Sequence, residues 1–194
     1  VRCGRQRQAL LARTGPLVQQ WSSRLHLREI PIEPSLVTRK GLAEIAEPLP
    51  QETFETLGRA ALAQFNTSER SYVVAHKKGG TVAYDKLRAH APEIVAFYQS
   101  DWLRSLISDL VGEQVYTTPA YDQSSCSLLL YSDKGDHIGW HYDHNFYRGR
   151  HFTVLLSIEN CRLGSASLSS AVLETRTKDG LCRIATPPNT LVVF

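Results

Sequence analysis

The chain has no Cys-x-x-Cys pair, no acidic residue among its first 28 and no histidine after His151. Nor does any stretch approach the ~18 consecutive apolar residues of a membrane span. Each absence narrows the reading. The four cysteines, Cys3, Cys126, Cys161 and Cys182, lie far apart. That argues against a zinc site or a small disulfide scaffold and for reduced thiols in a cytoplasmic protein. Without a long apolar run, no membrane partner is expected. The acid-free start carries six Arg, and the remaining 16 basic and 19 acidic residues leave the rest of the chain at −3. That balance gives no reason to expect nucleic-acid binding by the main body.

What is present is the composition of an ordinary globule, 42% hydrophobic and 21% charged over 194 residues, enough for one domain with a sizeable core. Residues 1–30 read as a basic extension: an organelle presequence, a misplaced start or a solvated helix. Pro31 and Pro34 break the chain, and residues 31–194 are expected to form a single domain, helical over 31–112. Phe54, Leu57, Ala61, Leu62 and Phe65 recur at helical spacing within Leu49–Phe65. Ile94, Phe97, Tyr98, Trp102, Leu106 and Leu110 form a second stripe over Asp85–Leu110. Pro92 restarts that helix and Val111-Gly112 stops it.

Residues 113–194 read as strands. Val115–Thr118 is expected to start the sheet, and Cys126–Tyr131, Thr153–Ile158 and Thr190–Phe194 are further β-type runs. Asp179-Gly180 between Ala171–Thr175 and Leu181–Ile184 is the strongest hairpin signal. Earlier, Tyr72–His76 reads as a strand and Lys77-Lys78-Gly79-Gly80 as a turn.

The chemistry concentrates at Gly139-Trp-His-Tyr-Asp-His-Asn145. In an extended strand alternate side chains share a face, so His141 and Asp143 would converge on one ion as an imidazole and a carboxylate. These are two of the three ligands of a 2-His-1-carboxylate iron(II) site. Alone, His-x-Asp is a weak signal. Here it sits in a succession of strand, turn, ligand pair, loop and strand, with Tyr131 ten residues before His141 and Arg150 and Thr153 after Asp143.

With those five residues at those offsets, the chain resembles the iron(II)- and 2-oxoglutarate-dependent dioxygenases, most closely their prolyl-4-hydroxylase-like subgroup. The resemblance runs from about Ser125 to the C-terminus. It implies an α+β fold, a double-stranded β-helix (jelly-roll, cupin-like) barrel over residues 113–194, braced by the N-terminal helices. It also implies iron(II), 2-oxoglutarate and O2 as cofactor and co-substrates, with His141 and Asp143 on the metal and Tyr131, Thr153 and Arg150 about 2-oxoglutarate. The chain departs from the pattern where Ser157 stands for a frequent second Tyr and Gly164-Ser-Ala-Ser167 for a Gly-Gly-x-Thr segment.

The family's second metal His, with the cation that pairs 2-oxoglutarate, lies on a later strand than any His here. The expectation is therefore of missing last strands and of an unpaired apolar edge at Thr190–Phe194. His137 and His144 are read as pocket-edge groups near substrate, together with Asp122 on the Pro119–Ser125 loop. Related halogenases carry Gly or Ala where this chain has Asp143, which implies a hydroxylase. The run Gly135-Asp-His-Ile-Gly-Trp-His141 resembles a branch acting on free amino acids such as lysine. The alternative is a catalytically incomplete barrel that binds a small anion or a protein partner.

Overall fold

The computed structural model describes residues 2–74, 76–119, 121–143, 147–162 and 164–194. They form two compact units, one of residues 1–25, 59–100 and 116–144, the other of residues 26–58, 101–115 and 145–194.

In the first unit α1 (Arg2–Ser22) packs by Val18 into a core with Val82, Tyr84, Leu87, Ala91, Val95 and Ala96. Those residues come largely from α4 (Tyr84–His90) and α5 (Pro92–Tyr98), the latter started by its proline at the first helical turn. A buried guanidinium, that of Arg88, is held by the Thr14 hydroxyl at 3.0 Å and the Tyr84 hydroxyl at 3.3 Å. The sheet of this unit is antiparallel. β2 (Glu69–Val73) pairs with β3 (Lys77–Val82), and β3 pairs in succession with β4 (Leu128–Leu130) and the two-residue β5 (His137–Ile138).

Two expectations fail here. Lys77–Gly80 is strand, paired antiparallel with Arg70–Val73. The glycines are in the strand because its neighbours come close. A Cβ on Gly79 would stand 2.9 Å from the Tyr131 ring, and one on Gly80 3.0 Å from the Ser68 hydroxyl. Val115–Thr118 lies in no regular element.

The second unit holds α2 (Leu36–Lys40), α3 (Gln51–Ala63) as far as Gly58, α6 (Asp101–Val111) and the three-stranded antiparallel sheet β1 (Ala43–Ala46), β9 (Thr190–Val193), β6 (Val154–Ser157), in that order. α6 ends where expected, at Gly112 with φ +76°. β7 (Leu173–Thr177) and β8 (Gly180–Ile184) form the hairpin signalled by Asp-Gly, with Thr177 opposite Gly180 across a two-residue loop.

The expected unpaired edge is overturned. β9 is the central strand, with Leu191 paired to both Ile45 and Leu156, and Leu191, Val192 and Val193 are fully buried. Asn189 clasps its start, donating its side-chain amide to the Leu49 carbonyl at 2.9 Å and accepting from the Leu49 amide at 3.3 Å.

Overall this is a mixed α/β chain with antiparallel sheets and, among the described residues, no closed barrel. None of its described helices is long and apolar enough to cross a membrane.

Candidate metal centre

The segment after β4 departs from β3 and then rejoins it. Leu130 lies opposite Gly80, and continuing that register brings Tyr131 opposite Gly79, where its ring covers the space a Cβ would fill. Residues 132–136 then leave the sheet, turning at Gly135 with φ +81° and closing by an Asp136 N–H bond to the Asp133 carbonyl at 3.0 Å. His137 returns opposite Lys78 and Ile138 opposite Lys77. One step further, the Gly139 N–H donates to the His76 carbonyl at 2.5 Å.

From Gly139 to Asp143 the chain is in no regular strand, so His141 and Asp143 do not converge for the reason expected. They meet nevertheless. His141 Nε2 lies 3.4 Å from Asp143 Oδ1, with both side chains partly exposed.

The ring is fixed from its other side, because His141 Nδ1 is 2.8 Å from the Gly139 carbonyl. A carbonyl can only accept, so Nδ1 carries the proton, and in the neutral ring Nε2 presents a lone pair toward a carboxylate. That juxtaposition is repulsive unless a cation, a proton or a metal, stands between them. His137 repeats the device, with Nδ1 2.9 Å from the Gly135 carbonyl. His76, at the β2–β3 turn, sets its ring edge-on to His141 with centroids 5.7 Å apart. From the sequence, His76 reads as the end of a strand before a solvated turn, with a contact to an anionic substrate group as the alternative. Its proximity comes from the pairing of β5 with β3, which no local pattern encodes.

Tyr131 is half-exposed, and burial, with a smaller contribution from the charge of Asp136, holds its phenol above the ordinary value. It therefore remains a neutral O–H donor at neutral pH. Asp122 is engaged locally, accepting the Ser124 N–H at 2.8 Å, as in an Asx turn. His144 lies outside the described residues.

Arg150 and Thr153 belong to the second unit. There Arg150 pairs with Glu113 at 3.0 Å and stacks over Phe152 at 4.9 Å. Thr153 exchanges backbone hydrogen bonds with Phe194 at 2.8 and 3.1 Å, beside β9. Among the described residues no three His, Cys, Asp or Glu side chains converge on one point. The pair His141–Asp143 is what the fold assembles.

No curated protein matches the chain. The family model described as Halogenase D (HalD) matches residues 35–168, more than half of the 194 residues and a span that takes in Tyr131, His141, Asp143, Arg150 and Thr153. The chain belongs to the Halogenase D family.

Proposed function

We propose that the protein is an iron(II)- and 2-oxoglutarate-dependent oxygenase of the prolyl-4-hydroxylase-like subgroup, on a jelly-roll fold. It would hydroxylate an unactivated C–H bond of a small substrate in the cytoplasm, a free amino acid such as lysine being the class suggested by Gly135–His141. One observation carries the reading: His141 Nε2 and Asp143 Oδ1 face each other at 3.4 Å while Nδ1 is committed to the Gly139 carbonyl. Two ligand atoms so spaced can both reach one ion at roughly 2.0–2.2 Å. The bonded Nδ1 is the outer partner that usually fixes a ligating imidazole.

When bound, iron(II) would supply the oxygen chemistry, in which one atom of O2 enters succinate as 2-oxoglutarate loses CO2 and the other enters the product as hydroxyl. The chain's own part is positional. His141 and Asp143 hold the metal, while Tyr131, a neutral phenol, donates to 2-oxoglutarate. Thr153 and Arg150 are assigned to the same co-substrate by their offsets, and His137, His144 and Asp122 to the substrate.

The family's name speaks of halogenation. Asp143 favours hydroxylation, because its carboxylate occupies the position that related halogenases leave vacant for halide. The runner-up reading, a barrel that binds a small anion or a partner without turnover, draws on the absence of a third converging ligand among the described residues.

The test is succinate release from 2-oxoglutarate with iron(II) and O2 across a panel of free amino acids. Product mass distinguishes gain of oxygen from gain of chlorine. It is run on the 194-residue chain and on a gene product extended past Phe194. The expected result is oxygen incorporation that His141→Ala abolishes. Turnover unaffected by His141→Ala would exclude this site, and chlorine incorporation would overturn the assignment of Asp143. Tyr131→Phe is expected to weaken 2-oxoglutarate binding by about 1.5–3 kcal/mol, the worth of a hydrogen bond to a charged group, read as a rise in its apparent constant.

A further inference from the structure

β5 is two residues long, and neither usual determinant of strand register acts on it. His137 and Ile138 are both exposed, so burial does not choose which of them faces which side. The five-residue detour of residues 132–136 does not choose either, since closing a loop one residue longer or shorter changes its entropy little. A one-residue slip would nevertheless turn every following side chain to the other face. It would also break the bond from the Gly139 N–H to the His76 carbonyl and shift the Gly139 carbonyl that holds His141 Nδ1.

What is specific is the carboxylate immediately before β5. The Asp136 side chain is 1% exposed. It accepts from Arg70 Nη2 of β2 at 2.8 and 2.9 Å and from the Asp133 amide at 3.0 Å, with Lys78 Nζ of β3 at 3.7 Å. The clamp extends outward: Arg70 also reaches Asp133 at 3.1 Å and the Ser132 hydroxyl at 3.3 Å, and Lys78 donates to the Lys134 carbonyl at 3.0 Å. Both cations belong to the hairpin that β5 joins, and Lys78 is the residue opposite His137. Along the chain from Asp136, the ion pair with Lys78, the His137–Lys78 pairing, the Gly139–His76 bond and the contact of the Gly139 carbonyl with His141 Nδ1 therefore follow one another within six residues.

We propose that Asp136, clamped by Arg70 and Lys78, is a positioning residue for the His141–Asp143 pair: it pins the register of β5 on β3 and so fixes where the two ligating atoms meet. The functional meaning rests on the metal-site reading above, and the geometry is testable without it.

The experiment compares wild type with Asp136→Asn, Arg70→Gln and Arg70→Lys by two measurements. One is cobalt(II) affinity by titration. The other is the 15N pattern of the His141 ring in metal-free protein, which reports its tautomer. Asp136→Asn is expected to lower cobalt(II) affinity 10- to 100-fold, the usual effect of losing an outer partner of a ligand, and to replace the single Nδ1–H tautomer by an averaged pattern. Helical ellipticity should be retained. Arg70→Gln should do the same, Arg70→Lys should restore most of the loss, and the double variant Asp136→Asn/Arg70→Gln should be no worse than Asp136→Asn alone.

A folded Asp136→Asn protein with wild-type ring pattern and affinity within twofold would overturn the proposal. If that variant does not fold, Arg70→Gln decides by the same two measurements. If wild type itself binds no cobalt(II), the metal-site reading fails in this chain, and the ring pattern alone decides whether the clamp positions His141.

Discussion

The two units each carry an antiparallel sheet, and the sheets are specified in different ways. In the second unit β9 is buried on both faces, flanked by β1 and β6, and its start is clasped by Asn189. Slipping it would disturb apolar residues buried on both sides and break the Asn189–Leu49 bonds, so burial and that clasp together fix its place. In the first unit all five residues of β2 and both of β5 are exposed. There the strands are placed by polar contacts and by two glycines that admit close neighbours. Apolar burial makes a rigid support but leaves no open ligand atoms. A polar, partly exposed sheet keeps the Nε2 atoms of His137 and His141 available at the cost of a less secure register.

The largest expected effect tests the buried sheet. Leu191→Ala should cost about 2–5 kcal/mol through lost burial and the cavity left behind, read as a drop in the denaturation midpoint. A loss below about 1 kcal/mol would mean that β9 is less tightly enclosed than its burial implies.

Next is Gly79→Ala, whose new methyl meets the Tyr131 ring at 2.9 Å and the Leu130 carbonyl at 3.0 Å. Overpacking of this kind costs about 1–3 kcal/mol. Amide exchange should quicken across β3 and β4, and Tyr131→Ala in the same protein should relieve part of the effect. Equal exchange in Gly79→Ala and wild type would show that the ring moves aside freely.

A smaller effect should follow acidification. Burial alone would raise the Asp136 carboxyl, but the Asp133 amide, Arg70 and Lys78 outweigh it and hold the group below the ordinary carboxylate value. A depressed carboxyl stabilises the folded state fully above its unfolded value, and that stabilisation is lost as pH falls through the folded one. Exchange protection of the amides of 137–139 should therefore persist through the mildly acidic range and fail below the ordinary carboxylate titration. It should fail at higher pH in Arg70→Gln. Protection lost near neutrality would overturn the assignment to Asp136.

The smallest effect is expected at Arg150–Glu113, whose side chains are 53% and 43% exposed. Glu113→Gln should change stability by no more than about 0.2–1 kcal/mol, so a loss well beyond that on denaturation would give this pair a structural weight its exposure does not suggest.

The helical stretches after Leu49 were legible in outline because a 3.6-residue apolar stripe, Pro92 and Gly112 act locally, although Leu62 and Phe65 of the first stripe are exposed and Asp85–Leu110 is divided into three helices; neither α2 nor the packing of α1 through Val18 was legible, since neither has such a stripe. The hairpin at Asp179-Gly180 was legible for the same reason. β1 was not, since Ala-Glu-Ile-Ala has little intrinsic preference for a strand and becomes one only by pairing with residues 190–193. That same remote pairing turned the expected edge at Thr190–Phe194 into a centre. Gly79-Gly80 looked like a turn because glycine marks close approach and reversal alike.

At the candidate site, His141 and Asp143 were found by spacing. His76 and Asp136 were not, because their relation to that pair passes through the β3 pairing. An aspartate beside a glycine ordinarily signals only its own turn.

Continuing the register of Leu130 on Gly80 brings Tyr131 to Gly79, whose open space its ring covers, and His137 pairs with the next residue of β3, Lys78, although five residues separate them in the chain. Topologically those five are an insert in a continuous strand. Excising residues 132–136 would join Tyr131 directly to His137 with every side chain downstream still on its present face. Such a shortened protein would have no slack to slip, and the loss of Asp136 with the insert would leave its register unharmed. The clamp is then best understood as the companion of the insert, a fastening required only where the strand has been cut open.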